Sequence, residues 1–201
     1  MSPPPKCLFL GRSRILIIRP GICRLAYRNG VTTAVTAPSG NKGFLQGVST
    51  AFSAGSPNAL AKGAIIQEET ALHITISLTL APSVSTQIAA LRSQLFESSL
   101  KHWVLVRKVC RLLCFRNISP ILINSIQGDI PLVVNVESAD IMATLVNLKQ
   151  EFEDITRSRL RLTFSGAAEA HLLAEEIAKA DISVILTSPR TYPLTWEQRR
   201  M

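Results

Sequence analysis

Cysteine and histidine side chains are the usual zinc ligands in proteins, and this chain carries few of either. They are Cys7, Cys23, Cys110, Cys114, His73, His102 and His171. No two cysteines form a Cys-x-x-Cys pair, and no pair of histidines lies near Cys110 and Cys114. Structural zinc sites need such closely spaced ligands, so the sequence predicts none. It shows no disulfide framework either, which makes a reducing compartment, by default the cytoplasm, the expectation.

The C-terminal third of the chain alternates strand and helix patterns. Three short runs rich in β-branched and apolar residues predict strands over 131–137, 160–164 and 182–186. Apolar residues at steps of three and four predict one helix after Ser138 and another over 167–180, with Gly166 as the turn before it. Strands that alternate with helices across short turns build a parallel sheet through right-handed crossovers. The predicted class is therefore α/β.

The first of these helices has a clear predicted start and a clear apolar side. Ser138 is the predicted N-cap, and Asp140 lies in the first turn, where the helix dipole favours a carboxylate. The stripe predicted to face the core is Ile141, Leu145, Leu148, Phe152 and Ile155. The residues predicted to face away from the core are Lys149, Glu151, Glu153 and Asp154. In the second helix the inward residues are Ala170, Leu173, Ala174 and Ile177.

The first half of the chain is less regular. Residues 31–37 predict a strand, and the glycines and prolines that follow predict a long loop that continues to Asn58. Two further strands are predicted over 64–67 and 72–78, with Glu68 and Glu69 between them. A helix is predicted after Pro82, marked by the apolar residues Val84, Ile88, Leu91 and Leu95.

The net charge of +8 comes from two stretches only. Residues 1–30 hold six basic residues and no acidic one, and residues 101–116 hold five basic residues and no acidic one, which leaves −3 for the remainder. Neither stretch interleaves aromatic residues as a nucleic-acid platform does, so we predict no nucleic-acid binding. No run of 18 apolar residues occurs, so no membrane span is predicted.

Four strings of this sequence together resemble the amidohydrolase superfamily, and within it the imidazolonepropionase-like group of metal-dependent hydrolases. They are Ala26–Pro38 (AYRNGVTTAVTAP), Gly63–His73 (GAIIQEETALH), Pro131–Asp140 (PLVVNVESAD) and Ser165–His171 (SGAAEAH). The resemblance is collinear and covers residues 25–108 and 128–201. It implies a (β/α)₈ barrel of the TIM type, which takes about 250 residues when complete. At 201 residues, the chain is expected to be a partial barrel, truncated at both ends.

The resemblance also implies a chemistry, namely hydrolysis of carbon–nitrogen bonds in linear or cyclic amides. In such enzymes one or two divalent metals bind water and lower its pKa, which gives a hydroxide nucleophile near neutral pH. The family's ligands are a His-x-His pair after the first strand, a Lys or Glu after the fourth, histidines after the fifth and sixth, and an Asp after the eighth. This sequence has no His-x-His. Those ligands are expected upstream of Tyr27, and the last Asp beyond Met201.

Five residues are the candidate metal ligands that the resemblance leaves. Glu68 or Glu69 would match the carboxylate after the fourth strand, and Glu137 follows the strand where relatives often have histidine. His73 and His171 are the other candidates, against the alternative that they are a packed histidine and a surface histidine. Because side chains alternate along a strand, Asn135 and Glu137 share a face. A carboxylate at Glu137 would favour magnesium or manganese over zinc, or the site holds no metal.

Two segments depart from the pattern. Residues 1–24 form an atypical basic segment, and residues 109–127 interrupt a resemblance that resumes when Lys108 is joined to Gly128. The codons of Val109-Cys110 and Ile126-Gln127 are compatible with splice donor and acceptor sites, and 19 residues keep the reading frame. We therefore expect a retained short intron. A mature transcript that still encodes Val109 to Gln127 would contradict this.

Two functions remain open from the sequence. The first is a fragment of an amidohydrolase-related hydrolase, which we expect to be inactive as written because the outer ligands are missing. The second is a non-catalytic, metal-free barrel remnant that acts as a binding or scaffold protein. A small amide is the partner that the first implies, and the sequence predicts no oligomeric state.

Overall fold

The fold is a six-stranded sheet with helices between its later strands. The computed structural model describes residues 20–37, 44–80, 82–106 and 128–187. The helices and strands are, in chain order, α1 (Pro20–Arg28), β1 (Thr33–Thr36), β2 (Leu45–Ser53), β3 (Ile65–Thr75), α2 (Val84–Val106), β4 (Leu132–Val136), α3 (Ala139–Thr156), β5 (Leu162–Gly166), a 3₁₀ turn (Ala170–Leu173), α4 (Ala174–Lys179) and β6 (Ser183–Leu186). The segment 109–127 lies outside these residues, as do residues 1–19.

The strands pair in the order β1-β2-β3-β4-β5-β6. Strands β3, β4, β5 and β6 are parallel to one another, and a helix lies between each consecutive pair in the chain. This confirms the α/β class and the parallel strands with intervening helices over that part. Strands β1 and β2 are antiparallel to their neighbours, which the sequence did not predict. No helix in the described ranges is long and apolar enough to cross a membrane.

Strand β2 lies inside the region predicted to be a loop, so that prediction is wrong. Glycine, serine and threonine hide the strand in the sequence, but its backbone pairs with two antiparallel neighbours, β1 and β3. The hydroxyl groups are satisfied there: Ser49 donates to the carbonyl of Ala71 at 3.2 Å, and Thr50 donates to the carbonyl of Glu68 at 3.0 Å. Irregular register between β2 and β3 breaks the simple alternation that sequence patterns detect.

Strand β3 is a single strand of 11 residues, where the sequence predicted two short ones. Glu68 and Glu69 therefore lie within a strand and not in a turn between strands. The reason is the pairing partner, because β2 pairs with β3 from Ile74 back to Ile65.

The hydrophobic core lies between one face of the sheet and helices α2, α3 and α4. Alternate residues of the central strands are almost fully buried there: Leu72, Ile74, Leu132, Val134, Leu162 and Phe164. The predicted helix after Pro82 is confirmed, since Leu91 and Leu95 are buried in the same cluster. Phe96 of α2 and Phe152 of α3 join the two helices, with ring centroids 5.6 Å apart.

Helix α3 confirms its predicted start but not all of its predicted faces. Ser138 occupies the N-cap and Asp140 the first turn. Ile155 is wrong as a core residue, because its side chain is 63% exposed. Lys149 is wrong as an outward residue, because it is only 3% exposed. Its Nζ donates to the carbonyl of Ala180 at 2.7 Å and lies 3.0 Å from Glu153.

The second predicted helix starts later than predicted and is divided. A 3₁₀ turn comes first and α4 follows, so that Ile177 is buried while Ala174 is exposed. Gly166 ends β5 with φ +88°, and Ala167 continues with φ +43°. These two left-handed residues prevent the helix from beginning directly after the strand.

The buried Lys149 gives a test of the packing at the amino-terminal ends of β5 and β6. We expect Lys149→Met to lower the free energy of unfolding by about 1–3 kcal/mol, because the Ala180 carbonyl loses its donor. The control Lys179→Met removes an exposed lysine 3.6 Å from Glu175 and is expected to cost less than about 0.5 kcal/mol. Urea denaturation measures both, and equal losses would contradict the buried role of Lys149.

Candidate active-site edge

Three polar side chains lie in one row across the sheet near the carboxyl ends of β3, β4 and β5. The registers align Thr75 with Asn135 and Asn135 with Ser165. The residues immediately before them point into the core: Ile74, Val134 and Phe164. Because side chains alternate, Thr75, Asn135 and Ser165 lie on the opposite face, which we call the polar face. Glu137, exposed and directly after β4, lies beyond this row as the sequence predicted.

His73 lies on the polar face, two residues before Thr75. It pairs with Gly47 of β2 and with Val133 of β4. Its Nε2 atom is buried and has no hydrogen-bond partner among the described residues. Burial lowers the pKa of His73 below its ordinary value of 6.5, because desolvation disfavours the imidazolium. A neutral ring at neutral pH can bind a metal or exchange a proton.

Gly166 brings the end of β5 close to the end of β4. A Cβ atom at this position would lie 3.1 Å from Asn135 Oδ1 and 3.8 Å from Glu137 Cγ. The left-handed φ of Gly166 also disfavours any other residue. The glycine therefore leaves room for the Asn135 amide at the carboxyl edge, a role different from the simple turn that the sequence predicted.

Glu68 and Glu69 lie elsewhere. The pairing of β3 with β4 begins at Leu72, so both glutamates precede the parallel part of the sheet. Thr75 lies six positions after Glu69, about 20 Å along a strand. Glu68 is exposed and Glu69 half-buried. The structure thus does not bring either of them to Glu137, which lies past the opposite end.

His171 lies in the 3₁₀ turn after β5 and is exposed. It is on the same edge of the sheet as Glu137, because both follow the carboxyl ends of neighbouring parallel strands. Within residues 20–37, 44–80, 82–106 and 128–187, no three His, Cys, Asp or Glu side chains come together in a group that could hold a metal ion.

The loop after β3 is held at this edge by Gln87 of α2, whose side chain is 1% exposed. Its Oε1 accepts a hydrogen bond from the Ser77 amide at 3.2 Å. Its Nε2 donates to the carbonyls of Ser77, Leu80 and Pro82 at 3.0, 3.1 and 2.7 Å. The buried side-chain amide of Gln87 thus holds the loop that follows β3, the strand that contains His73.

Glu169 is a buried acid that the sequence did not single out. It is 4% exposed, and its Oε2 accepts the Ala139 amide hydrogen at a donor–acceptor distance of 2.8 Å. Its own amide donates to the carbonyl of Glu137 at 3.3 Å. No local pattern could have identified it, because the helix that it caps begins 30 residues earlier in the chain.

A cavity of about 320 Å³ lies at the other end of the sheet. Its lining includes Arg159, Arg161 and Asp181, and Arg159 forms an ion pair with Asp181. These residues precede β5 and β6, so the cavity is on the amino-terminal side and away from Glu137.

No family model matches the chain. The chain is 27% identical over 207 aligned positions to the amidohydrolase tasK of Hapsidospora irregularis, an alignment that covers 88% of this chain and 21% of that protein. The fold of the present chain is similar to the crystal structure of an amidohydrolase from Thermotoga maritima, with a TM-score of 0.69 and 17% identity. The match covers 89% of this chain and 47% of that one. The chain thus spans about a fifth of the curated relative and about half of the solved structure.

The buried imidazole predicts a pH dependence of stability. The unfolded chain binds a proton at His73 near pH 6.5, whereas the folded chain binds it only at lower pH. The stability associated with the neutral ring is therefore complete above pH 6.5 and is lost as the pH falls from 6.5 toward the lowered pKa. Between pH 7.5 and 5.5 we expect the free energy of unfolding to fall less in His73→Gln than in the unaltered chain, because the variant lacks the contribution of this imidazole. Urea denaturation at each pH measures the difference.

The exposed His171 supplies the control for this experiment. His171→Gln is expected to leave the pH dependence of the unfolding free energy as it is in the unaltered chain. A chain that loses no stability below pH 6.5, or one in which both variants behave alike, would contradict the assignment to His73.

Proposed function

We propose that this chain is a hydrolase of the amidohydrolase superfamily, acting on a carbon–nitrogen bond of a small linear or cyclic amide. The observation that carries the proposal is the agreement of two likenesses, one in sequence and one in fold, that each cover nearly nine tenths of the chain. An imidazolonepropionase-like substrate, a cyclic amide, is the finer form of the proposal, and it rests on the sequence strings that resemble that group.

The proposed architecture is part of a (β/α)₈ barrel. Four parallel strands with intervening helices support it, and so does the similarity to about half of a solved amidohydrolase. In barrel enzymes the active site lies at the carboxyl ends of the strands. The corresponding edge here carries Asn135, Ser165 and Glu137 on or beside the polar face.

The groups at this edge are complementary to an amide. The Asn135 side chain has both a donor and an acceptor, the Ser165 hydroxyl can donate to a carbonyl oxygen, and the Glu137 carboxylate can accept from an amide N–H. We propose that these three side chains bind and orient the substrate. His73 lies one row deeper on the same face, where a neutral ring can accept a proton.

A divalent metal is the cofactor that the family relationship implies, and its chemistry would be to lower the pKa of a bound water. The part of the chain described by the structure does not fit a resident metal. No group of three ligating side chains occurs there, and Glu68 and Glu69 lie in the part of β3 that precedes its pairing with β4, remote from Glu137.

Substrate binding tests the proposed edge directly. We expect at least one member of a panel of lactams, hydantoins and N-acyl amines to bind the purified chain in isothermal titration. Glu137→Gln is expected to weaken that binding about tenfold, or about 1.4 kcal/mol, because a charge-assisted hydrogen bond is lost. Glu68→Gln alters an exposed carboxylate at the opposite end of the sheet and should leave the affinity unchanged. Equal effects of the two variants on the affinity would contradict the proposal that the substrate binds at the carboxyl edge of the sheet.

Amide hydrolysis separates a hydrolase from a non-catalytic scaffold, and metal retention tests the ligand set. The chain is dialysed with Zn²⁺, Mn²⁺ or Mg²⁺ separately, freed of unbound ion, and subjected to elemental analysis and to an assay for amide hydrolysis. The hydrolase proposal expects hydrolysis of at least one member of the panel, reduced by Glu137→Gln and not by Glu68→Gln. Because the described residues hold no group of three ligating side chains, we expect less than one equivalent of any metal to be retained. A chain that hydrolyses no member of the panel would instead support the non-catalytic binding protein.

A further inference from the structure

The start of helix α3 has an unusual cap. Ser138 occupies the N-cap position with extended backbone angles, φ −82° and ψ 135°, yet its side chain makes no capping hydrogen bond. The first helical amide, that of Ala139, donates to the carboxylate of Glu169 at 2.8 Å. A serine side chain at an N-cap normally accepts from the second or third helical amide, so the first one needs an acceptor from elsewhere in the chain. The chain uses a residue 30 positions away, on the loop after the next strand.

The environment of Glu169 suits this role. Its side chain is 4% exposed, and a buried carboxylate needs hydrogen-bond donors or positive charge around it. The amino-terminal end of α3 offers both, since its amides point outward and the helix dipole is positive there. The bond from Ala139 is therefore a charge-assisted one, in a place that excludes water.

Main-chain hydrogen bonds connect the same two loops. The Glu169 amide donates to the carbonyl of Glu137 at 3.3 Å, and the Ala167 amide donates to the carbonyl of Val136 at 2.8 Å. Glu169 therefore binds the chain on both sides of Ser138, through its backbone before that residue and through its carboxylate after it. The left-handed backbone of Ala167, φ +43°, brings the loop into this position.

We propose that Glu169 is a positioning residue, which holds Glu137 at the carboxyl edge by joining the loop after β4 to the loop after β5. A local cap from Ser138 would stabilise α3 alone. A cap from Glu169 also makes the two loops one unit, at the edge where Asn135, Glu137 and Gly166 approach one another. The proposal rests on the proposed function only in taking Glu137 as a residue that binds the amide substrate.

The test compares Glu169→Ala and Glu169→Gln with two controls. Glutamine at position 169 keeps an oxygen that can accept the Ala139 hydrogen bond, so Glu169→Gln should show a smaller effect than Glu169→Ala. Ser138→Ala removes a side chain that makes no capping bond, and Glu175→Gln neutralises an exposed acid on the same segment. Two NMR readouts report position without any ligand: hydrogen exchange of the Ala139 amide and the backbone ¹⁵N shifts of 136–140. Titration with the amide that the unaltered chain binds reports the effect on Glu137.

We expect Glu169→Ala to speed exchange of the Ala139 amide at least about tenfold, because its acceptor is removed. We also expect it to move the ¹⁵N shifts of 136–140. At a temperature where the variant is fully folded, we expect amide binding to weaken about tenfold, which is the lower end of the loss seen when a residue that orients a ligand-binding group is removed. Glu169→Gln should be intermediate. Glu175→Gln should match the unaltered chain in all three readouts, and Ser138→Ala, which changes the ¹⁵N shifts around position 138 by its own substitution, should match it in protection of the Ala139 amide and in amide affinity.

Different failures have different meanings. If Glu169→Ala leaves the exchange and the shifts unchanged, the positioning role is wrong. If it alters them but leaves amide affinity unchanged, Glu169 is only a helix cap and the proposal is overturned while the proposed function stands. If the unaltered chain binds no amide, the proposed function fails, and the exchange rate and the shifts alone then decide whether Glu169 positions Glu137.

Discussion

The row formed by Ile74, Val134 and Phe164 is the packing interaction on which the rest of the structure depends. These three residues are aligned across β3, β4 and β5, and each is no more than 2% exposed. Since side chains alternate along a strand, burial of this row against the helices forces Thr75, Asn135 and Ser165 onto the other face. A shift of one residue toward the carboxyl end in one of these strands would turn Thr75, Asn135 or Ser165 toward the core. The hydrophobic packing therefore fixes the polar edge.

Buried or half-buried polar side chains bind backbone groups at both ends of this core. At the amino-terminal side, Lys149 and Glu153 satisfy the carbonyl of Ala180 and the amide of Leu160, which precede β6 and β5. At the carboxyl side, Gln87 and Glu169 hold the loops after β3 and β5. All four side chains bind backbone groups where strands or helices begin and end, because those groups lack partners within the secondary structure. They anchor the connections that the apolar core cannot reach.

The similarity to amidohydrolases and the residues of this chain answer different questions. Similarity of fold at 17% identity shows how the backbone is arranged, and barrel-like folds carry many chemistries on the same backbone. What a site binds depends on the side chains at the strand ends. Here those are an amide, a hydroxyl and a carboxylate, with a neutral histidine one row deeper. All of these groups can donate or accept hydrogen bonds, and among the described residues no three side chains come together as metal ligands.

The sequence by itself determined the elements whose pattern is local. Periodicity and capping involve near neighbours in the chain, and they predict strand β4, the start of α3 at Ser138 and the helix α2 after Pro82. The same periodicity predicts a common face for Asn135 and Glu137. Tertiary structure alone decided the rest, because the partners are distant in sequence. Strand β2 exists because β1 and β3 pair with it, and Lys149 can be buried because the carbonyl of Ala180 accepts a hydrogen bond from its ammonium group. Glu68 and Glu69 are separated from Glu137 by the register of β3 with β4, and Glu169 reaches α3 only because β4 and β5 are adjacent.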